Sequence, residues 1–242
     1  MGFRDHPSLF EPFRTLRSNL QYFDVDSGKH VYLVTSGLSK EGKTVTTINL
    51  ALSLAVSGKR VIVVEADMRR PMLNEYLKSE NGPGLSSLLA RTEGNCDLLQ
   101  LVRVDDFIPD KNGHERERRG LQRNLYVLPS GPVPPNPAEL LASNRMGKLI
   151  EELSGMADYV IIDTPPLLPV SDALVLGRHV NGAILTARMH STTREEVREV
   201  RNTFERAGIR IVGAVAVGVK RSPAYYRKRG YGYEYGGYEL DY

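Results

Sequence analysis

GLSKEGKT, residues 37–44, matches the pattern G-x-x-x-x-G-K-[ST] at every fixed position. Glycines let such a turn direct its backbone N–H groups at phosphate oxygens, and a following helix presents its positive end to the same anion. An apolar run at Val31–Thr35 precedes the motif, and a helical pattern at Val45–Val56 follows it. A phosphate-binding loop (P-loop) for a Mg²⁺–nucleoside triphosphate is therefore predicted. Its nucleotide-binding residues are Gly37, Leu38, Ser39, Lys40, Glu41, Gly42, Lys43, Thr44 and Val45.

Two side chains of the motif have predicted chemical roles. Lys43 is expected to reach the β- and γ-phosphates, and the Thr44 hydroxyl to hold Mg²⁺. A second metal ligand is predicted at Asp163, because the apolar run Tyr159–Ile162 ends there in the Walker B pattern. The alternatives are a helix-capping aspartate at Asp163 and a solvated loop charge at Lys40.

A further strand pattern, Val61–Val64, is followed by two acids, Glu65 and Asp67. Residues two apart on an extended chain face the same side, so both carboxylates are predicted to point at the metal and the incoming nucleophile. One would orient or deprotonate a hydroxyl and the other would assist the metal. A solvated acidic turn is the alternative. The predicted catalytic residues are thus Lys43, Glu65, Asp67 and Asp163, and the predicted metal ligands are Thr44, Asp67 and Asp163.

Composition narrows the class of protein. The 242 residues include a single cysteine, Cys96, which excludes an internal disulfide or a four-cysteine cluster within the chain. The net charge of +3 is too small to indicate a nucleic-acid partner. No apolar run approaches the ~20 residues that span a bilayer, and the N-terminus lacks a signal-peptide core, so a cytoplasmic location is expected.

The order of the patterns predicts the fold class. Strand patterns that are apolar throughout alternate with helical patterns along the chain. This is typical of an α/β fold with a mostly parallel sheet covered by helices on both faces. We predict a P-loop domain over residues 1–218 and a flexible tail over residues 219–242.

The predicted tail is rich in tyrosine and poor in aliphatic residues. It holds seven of the 12 tyrosines, namely Tyr225, Tyr226, Tyr231, Tyr233, Tyr235, Tyr238 and Tyr242. Such a segment buries too little apolar surface to offset its ordering entropy. Beside a P-loop, the phenols are interpreted as phosphate acceptors, with RNA binding or self-association as the alternative.

An amphipathic helix is predicted at about residues 10–22, where Phe13, Leu16 and Leu20 recur at helical spacing. Three charged residues, Glu11, Arg14 and Arg17, lie three apart on this helix. By periodicity alone, they indicate a solvated charged face with local ion pairs.

Together these features resemble the bacterial tyrosine kinases of capsule and exopolysaccharide synthesis, the BY-kinases. The resemblance includes E-x-x-R-x-x-R at Glu11–Arg17, the P-loop, an A-prime Walker motif at Val61–Pro71, and the Walker B segment Asp158–Pro166. It also includes the proline-rich stretch Gly131–Leu141 and the tyrosine-rich end. Their order and spacing over nearly the whole chain carry the resemblance.

The resemblance implies a kinase that transfers the γ-phosphate of ATP to its own tail tyrosines on a neighbouring subunit of a ring. It implies that Glu11, Arg14 and Arg17 form the subunit interface. It also implies a membrane-spanning activator that holds the kinase at the inner face of the membrane, and an output in polysaccharide length and export.

The sequence departs from the family's pattern in three places. Glu65 stands where the family usually has aspartate, and Val217 stands where it usually has an asparagine that contacts adenine. The charged segment Arg103–Arg123 is longer than usual, and no role is assigned to it.

Two other functions fit the same fold. The first is a partition or positioning ATPase. Those proteins carry a second lysine five residues before the motif lysine, where this chain has Leu38. The second is a non-catalytic, ATP-binding scaffold of a polysaccharide export complex.

Overall fold

The computed structural model describes residues 10–23, 30–77, 82–90, 102–103 and 124–219. Its helices are α1 (Phe10–Phe23), α2 (Lys43–Val56), α3 (Leu73–Leu77), α4 (Leu85–Ala90), α5 (Pro137–Ala142), α6 (Asn144–Met156), α7 (Asp172–Gly177) and α8 (Arg194–Arg206). Its strands are β1 (Val31–Ser36), β2 (Val61–Glu65), β3 (Val102–Arg103), β4 (Leu125–Leu128), β5 (Tyr159–Asp163), β6 (Gly182–Arg188) and β7 (Ile211–Val217). The seven tail tyrosines and residues 104–123 lie outside the described residues.

The strands form one sheet in the order β3-β4-β2-β5-β1-β6-β7. Six of them are parallel, and the two-residue β3 pairs antiparallel with β4 at the edge. Strands β1, β2 and β5 are buried along their whole length. The prediction of a mostly parallel sheet from uniformly apolar strands is confirmed, because a central parallel strand is covered on both faces.

Alternate residues of each central strand supply two separate hydrophobic clusters, one on each face of the sheet. Leu33 and Ile162 pack in the first cluster with Leu149 of α6, Leu176 of α7 and Phe204 of α8. The second cluster contains Tyr32, Ile161, Leu50 and Leu54 of α2, and Leu20 of α1. Helices therefore cover both faces, as predicted. No helix among the described residues is long and apolar enough to cross a bilayer.

The register of the central strands brings the functional segments to one edge of the sheet. Val34 of β1 pairs with Asp163 of β5, and Asp163 also pairs with Glu65 of β2. The carboxyl ends of three parallel strands therefore meet directly beside the loop that follows β1. This edge is where parallel α/β sheets place their ligands.

Candidate nucleotide site

The P-loop connects β1 to α2 with the turn that the motif predicts. Gly42 has φ of 87°, a conformation that glycine adopts without the cost imposed by a side chain. A Cβ atom at Gly42 would also lie 3.0 Å from Cγ1 of Val217. The amide of Thr46 donates to the Gly42 carbonyl at 2.9 Å and begins the helix. The backbone conformation therefore favours glycine here, and any side chain would also press against Val217.

Lys43, Thr44 and Asp163 come together at the start of α2. The Thr44 hydroxyl donates to Oδ2 of Asp163 at 2.7 Å, and the Thr47 hydroxyl donates to Oδ1 at 3.3 Å. Asp163 is buried, and Lys43 is 8% exposed. Both carboxylate oxygens of Asp163 accept from side-chain hydroxyls of α2. These contacts do not support the helix-capping alternative. The sequence analysis missed Thr47, which lies one helical turn after Thr44.

Burial sets the charge state of Asp163. It raises the pKa of this carboxyl to about 7, and the hydrogen bond from Thr44 and the charge of Lys43 only partly offset that effect. A hydroxyl and a carboxylate are oxygen ligands of the type that Mg²⁺ prefers, and a lysine ammonium suits phosphate oxygens. The donor set therefore fits a Mg²⁺–nucleotide.

Glu65 is turned toward backbone amides. Its Oε1 accepts from the N–H groups of Met72 (2.7 Å) and Leu73 (2.6 Å), and its Oε2 accepts from the N–H of Ser130 (3.0 Å). The side chain has no exposed surface. These contacts tie the segment after β2 to the segment after β4 and favour a structural role. The catalytic role of Glu65 remains a prediction without geometric support.

Asp67 lies two residues beyond the end of β2, in a loop rather than on an extended strand. Its Oδ1 accepts from the N–H of Arg70 at 3.1 Å. Burial raises the pKa of Asp67, while that hydrogen bond and the charge of Lys43 lower it. Asp67 therefore lies within electrostatic reach of Lys43. Of the two predicted carboxylates, Asp67 is the one that its contacts leave able to accept a proton.

Arg69 forms a two-pronged ion pair that the sequence analysis did not predict. Its Nε and Nη2 donate to the two carboxylate oxygens of Asp172 at 3.0 and 3.1 Å. The Asp172 side chain is fully buried at the first residue of α7, and the Arg69 side chain is 39% exposed. Planar Arg–carboxylate pairs of this kind fix geometry as well as charge. The loop that carries Asp67 is thus fastened to α7.

Two predicted P-loop residues make contacts outside the motif. The Lys40 side chain is exposed, as expected for a solvated loop charge, while its carbonyl oxygen accepts from Arg188 at 2.8 Å. The Glu41 side chain is buried and accepts from the N–H of Leu38 and the hydroxyl of Thr192. Thr192 lies 151 residues further along the chain, and no local pattern signals this contact.

The three charged residues of α1 have different surroundings. Glu11 and Arg14 form an exposed ion pair at 3.6 Å. Arg17 instead donates to the Ser53 carbonyl of α2 at 2.8 Å. The helix itself is confirmed at Phe10–Phe23. The subunit interface at Glu11, Arg14 and Arg17 stays a prediction, and one of its three residues is bound within the chain.

Residues 32–223 match the family model described as the CobQ/CobB/MinD/ParA nucleotide binding domain. The septum site-determining protein MinD of Pyrococcus horikoshii, solved with Mg-ADP, has the same fold at TM-score 0.58 and 21% identity, over 82% of this chain and 76% of that one.

Several relatives are more similar. Tyrosine-protein kinase YwqD of Bacillus subtilis is 34% identical over 88% of this chain and 82% of its own length. Putative tyrosine-protein kinase CapB of Staphylococcus aureus is 30% identical over 90% of this chain and 89% of its own length. The solved kinase domain of Escherichia coli tyrosine kinase ETK has TM-score 0.74 and 30% identity, covering 94% of this chain and 80% of that chain.

Other relatives are much longer proteins. Tyrosine-protein kinase wzc of Salmonella typhi is 34% identical over 93% of this chain, which spans 29% of that relative's length. The family match, the P-loop geometry and the relatives that are covered over most of their length all indicate the same family. The chain belongs to the CobQ/CobB/MinD/ParA family of P-loop nucleotide-binding domains and, within it, to the bacterial tyrosine-protein kinases.

Proposed function

We propose that this chain uses Mg²⁺–ATP to phosphorylate tyrosines of its own C-terminal segment, on a neighbouring copy in a ring. We further propose that a membrane-spanning activator controls this reaction and that its output is capsule or exopolysaccharide export. The observation that carries the proposal is the meeting of Lys43, Thr44 and Asp163 at one end of the sheet, with Thr44 and Asp163 joined at 2.7 Å.

Bound Mg²⁺–ATP supplies the phosphoryl group and a metal that neutralises developing negative charge. Lys43 binds the phosphate oxygens from the first residue of α2. Thr44 and Asp163 hold the metal through a hydroxyl and a carboxylate. Because Asp163 is buried and its position is fixed by two α2 hydroxyls, little reorganisation is needed on binding.

Asp67 is the proposed general base. In the transfer step, the phenol oxygen forms a bond to the γ-phosphorus, the bond from that phosphorus to ADP breaks, and the phenol proton passes to Asp67. A raised carboxyl pKa brings the base closer to the operating pH, which favours proton acceptance. Glu65, whose two oxygens serve three backbone amides, holds the neighbouring segments in place.

The test is transfer from γ-labelled ATP to the purified chain, followed by mass spectrometry of its C-terminal peptides. Phosphate is expected on tyrosines within Tyr225–Tyr242. Lys43→Met is expected to abolish it, since the phosphate contact is lost, whereas Lys148→Met, at an exposed lysine of α6, is a matched control with normal labelling. Nucleotide binding without any phosphotyrosine, even with an activator peptide supplied, would refute the proposal and favour an ATP-binding scaffold. Phosphate release without phosphotyrosine would favour a positioning ATPase.

A second experiment separates the two acids after β2. Asp67→Asn is expected to lower transfer by about 10²- to 10⁴-fold, the usual contribution of a general base, with unchanged stability. Glu65→Gln is expected to lower the free energy of unfolding. The amide nitrogen of glutamine cannot accept hydrogen bonds from the backbone N–H groups that donate to the Glu65 carboxylate. If Glu65→Gln alone lost activity while keeping its stability, the assignment of the base would be wrong.

A further inference from the structure

Two loops meet beside the phosphate site, and each contains a residue in an unusual backbone conformation. One is the P-loop, and the other is the β6–α8 turn, which we define as residues 189–193. Within the described ranges, Lys40 (φ 65°) and His190 (φ 64°) are the non-glycine residues with positive φ. Such conformations are unfavourable for residues with a Cβ atom and persist where surrounding contacts hold them. Contacts around the two loops must therefore hold these conformations in place.

The first link runs through the buried carboxylate of Glu41, which is 2% exposed. Its Oε2 accepts from the N–H of Leu38 at 2.9 Å, within the P-loop. Its Oε1 accepts from the hydroxyl of Thr192, in the β6–α8 turn. The Thr192 oxygen in turn accepts from the N–H of Arg188, the last residue of β6, at 2.8 Å. Hydrogen bonds thus connect the P-loop backbone without a break to the end of strand β6.

The second link determines the orientation of one P-loop peptide plane. Nη1 of Arg188 donates to the carbonyl oxygen of Lys40 at 2.8 Å. The peptide between Lys40 and Glu41 is trans, so the N–H of Glu41 points away from Arg188. Rotating this peptide by half a turn would exchange the positions of a donor and an acceptor. A P-loop binds phosphate through backbone N–H groups, so the orientation of this plane affects the charge that the loop presents.

We infer that Glu41, Arg188 and Thr192 are positioning residues that hold the P-loop in its phosphate-binding shape before the nucleotide arrives. We call these three residues the P-loop brace. The brace raises nucleotide affinity because the loop does not have to be ordered, or its peptide rotated, on binding. This inference requires only that the chain binds a nucleotide, and it does not depend on transfer to tyrosine.

Titration of the nucleotide-free chain, with all 242 residues, with Mg²⁺–ADP in a calorimeter tests the brace. Thr192→Val keeps the shape of the side chain and removes its hydroxyl, and Arg188→Met removes the guanidinium. Each is expected to weaken Mg²⁺–ADP binding by about tenfold, the usual effect of losing a charge-assisted hydrogen bond. Thr192→Ser restores the hydroxyl and is expected to bind like the original chain. Glu41→Gln, which keeps an acceptor, is expected to bind more tightly than Glu41→Ala.

Two α8 residues serve as matched controls, because neither contacts the P-loop among the described hydrogen bonds. Thr203→Val removes a hydroxyl that accepts from Arg206, and Arg198→Met removes an exposed guanidinium. Both are expected to leave Mg²⁺–ADP affinity unchanged. In the double variant Arg188→Met/Thr192→Val, the loss of affinity is expected to be smaller than the product of the single losses, because the two contacts act on one loop.

Thermal unfolding of each ligand-free variant separates positioning from folding. The inference holds if affinity falls in Thr192→Val and Arg188→Met and returns in Thr192→Ser, with melting temperatures close to that of the original chain. It is overturned if affinity is unchanged, or if Thr192→Ser and Thr192→Val lose affinity equally. It is also overturned if affinity falls only in proportion to a loss of folded protein. If the Mg²⁺–ADP affinity depends on the brace as expected but no tyrosine is labelled even with an activator peptide supplied, only the proposed kinase function is refuted.

Discussion

At the scale of single residues, the partners of a buried carboxylate decide what that carboxylate does. Glu65, Asp163 and Asp172 are all buried. Glu65 is paired with backbone amides, Asp163 with threonine hydroxyls, and Asp172 with a guanidinium. Asp163 is the one of these three whose partners are hydroxyls at the start of α2, and burial raises its pKa, so a metal ion bound there would stabilise its charged form.

A pH-dependent nucleotide affinity follows from the pKa of about 7 at Asp163. Below that pH, the ligand-free carboxyl holds a proton that Mg²⁺ must displace, so Mg²⁺–ADP affinity is expected to rise up to about pH 7 and then level off. Calorimetry in buffers with different ionisation enthalpies should show proton release near pH 6 and little near pH 8. Asp163→Asn should bind weakly with no such dependence. Equal proton release at both pH values would contradict the prediction.

The same group has a predictable effect on the stability of the ligand-free chain. Its pKa is raised from the ordinary value of 3.8 to about 7 on folding. Between these values, the folded state holds a proton that the unfolded state has lost. The contribution of Asp163 to the free energy of unfolding therefore falls as the pH rises through this window.

At the scale of secondary-structure elements, the segment after β2 is held at two points. Glu65 binds the amides at the start of α3, and Arg69 binds Asp172 at the start of α7. Asp67 lies between these two attachments. An active carboxylate on a loop needs such support, because loops are otherwise the most mobile parts of a fold.

Removal of Arg69 should therefore destabilise the fold more than removal of its neighbour. Arg69→Met leaves the fully buried Asp172 carboxylate without its guanidinium partner. Because Arg69 is itself partly exposed, the expected loss in the free energy of unfolding is about 2 kcal/mol, below the range for a fully buried pair. Arg70→Met, at an exposed arginine whose backbone contact to Asp67 is kept, is the control. Equal urea midpoints for the two variants would show that the pair contributes no stability.

At the scale of the whole molecule, the nucleotide site exists only when the parallel sheet is assembled. Its residues come from the ends of β1, β2 and β5 and from the start of α2, and these segments are brought together by strand register. A ligand that binds this assembled edge should stabilise the folded chain and not the unfolded one.

Mg²⁺–ADP should therefore raise the free energy of unfolding by about 2.7 kcal/mol when its concentration is 100 times the Kd. Lys43→Met should show no such increase at the same concentration, since it lacks the phosphate contact. Urea unfolding with and without Mg²⁺–ADP measures the difference. A wild-type chain whose urea midpoint does not move would contradict nucleotide binding at the P-loop.

The sequence by itself determined the class of sheet, the P-loop and the acid at the end of β5, because each depends on residues close together in the chain. The periodicity of apolar residues sets the strands, and the fixed glycines and lysine set the turn. These local patterns also predicted α1 to within one residue of its end.

The structural roles of Glu65, Asp172 and Thr192 follow only from the tertiary structure. The spacing of Glu65 and Asp67 predicted that both carboxylates point at the metal and the nucleophile. However, β2 ends at Glu65, and the amide of Ser130, 65 residues away, donates to one of its oxygens. Arg69 and Asp172 are 103 residues apart, and Glu41 and Thr192 are 151 apart. The partner of a buried polar group is chosen by strand order and packing, and no local pattern encodes either.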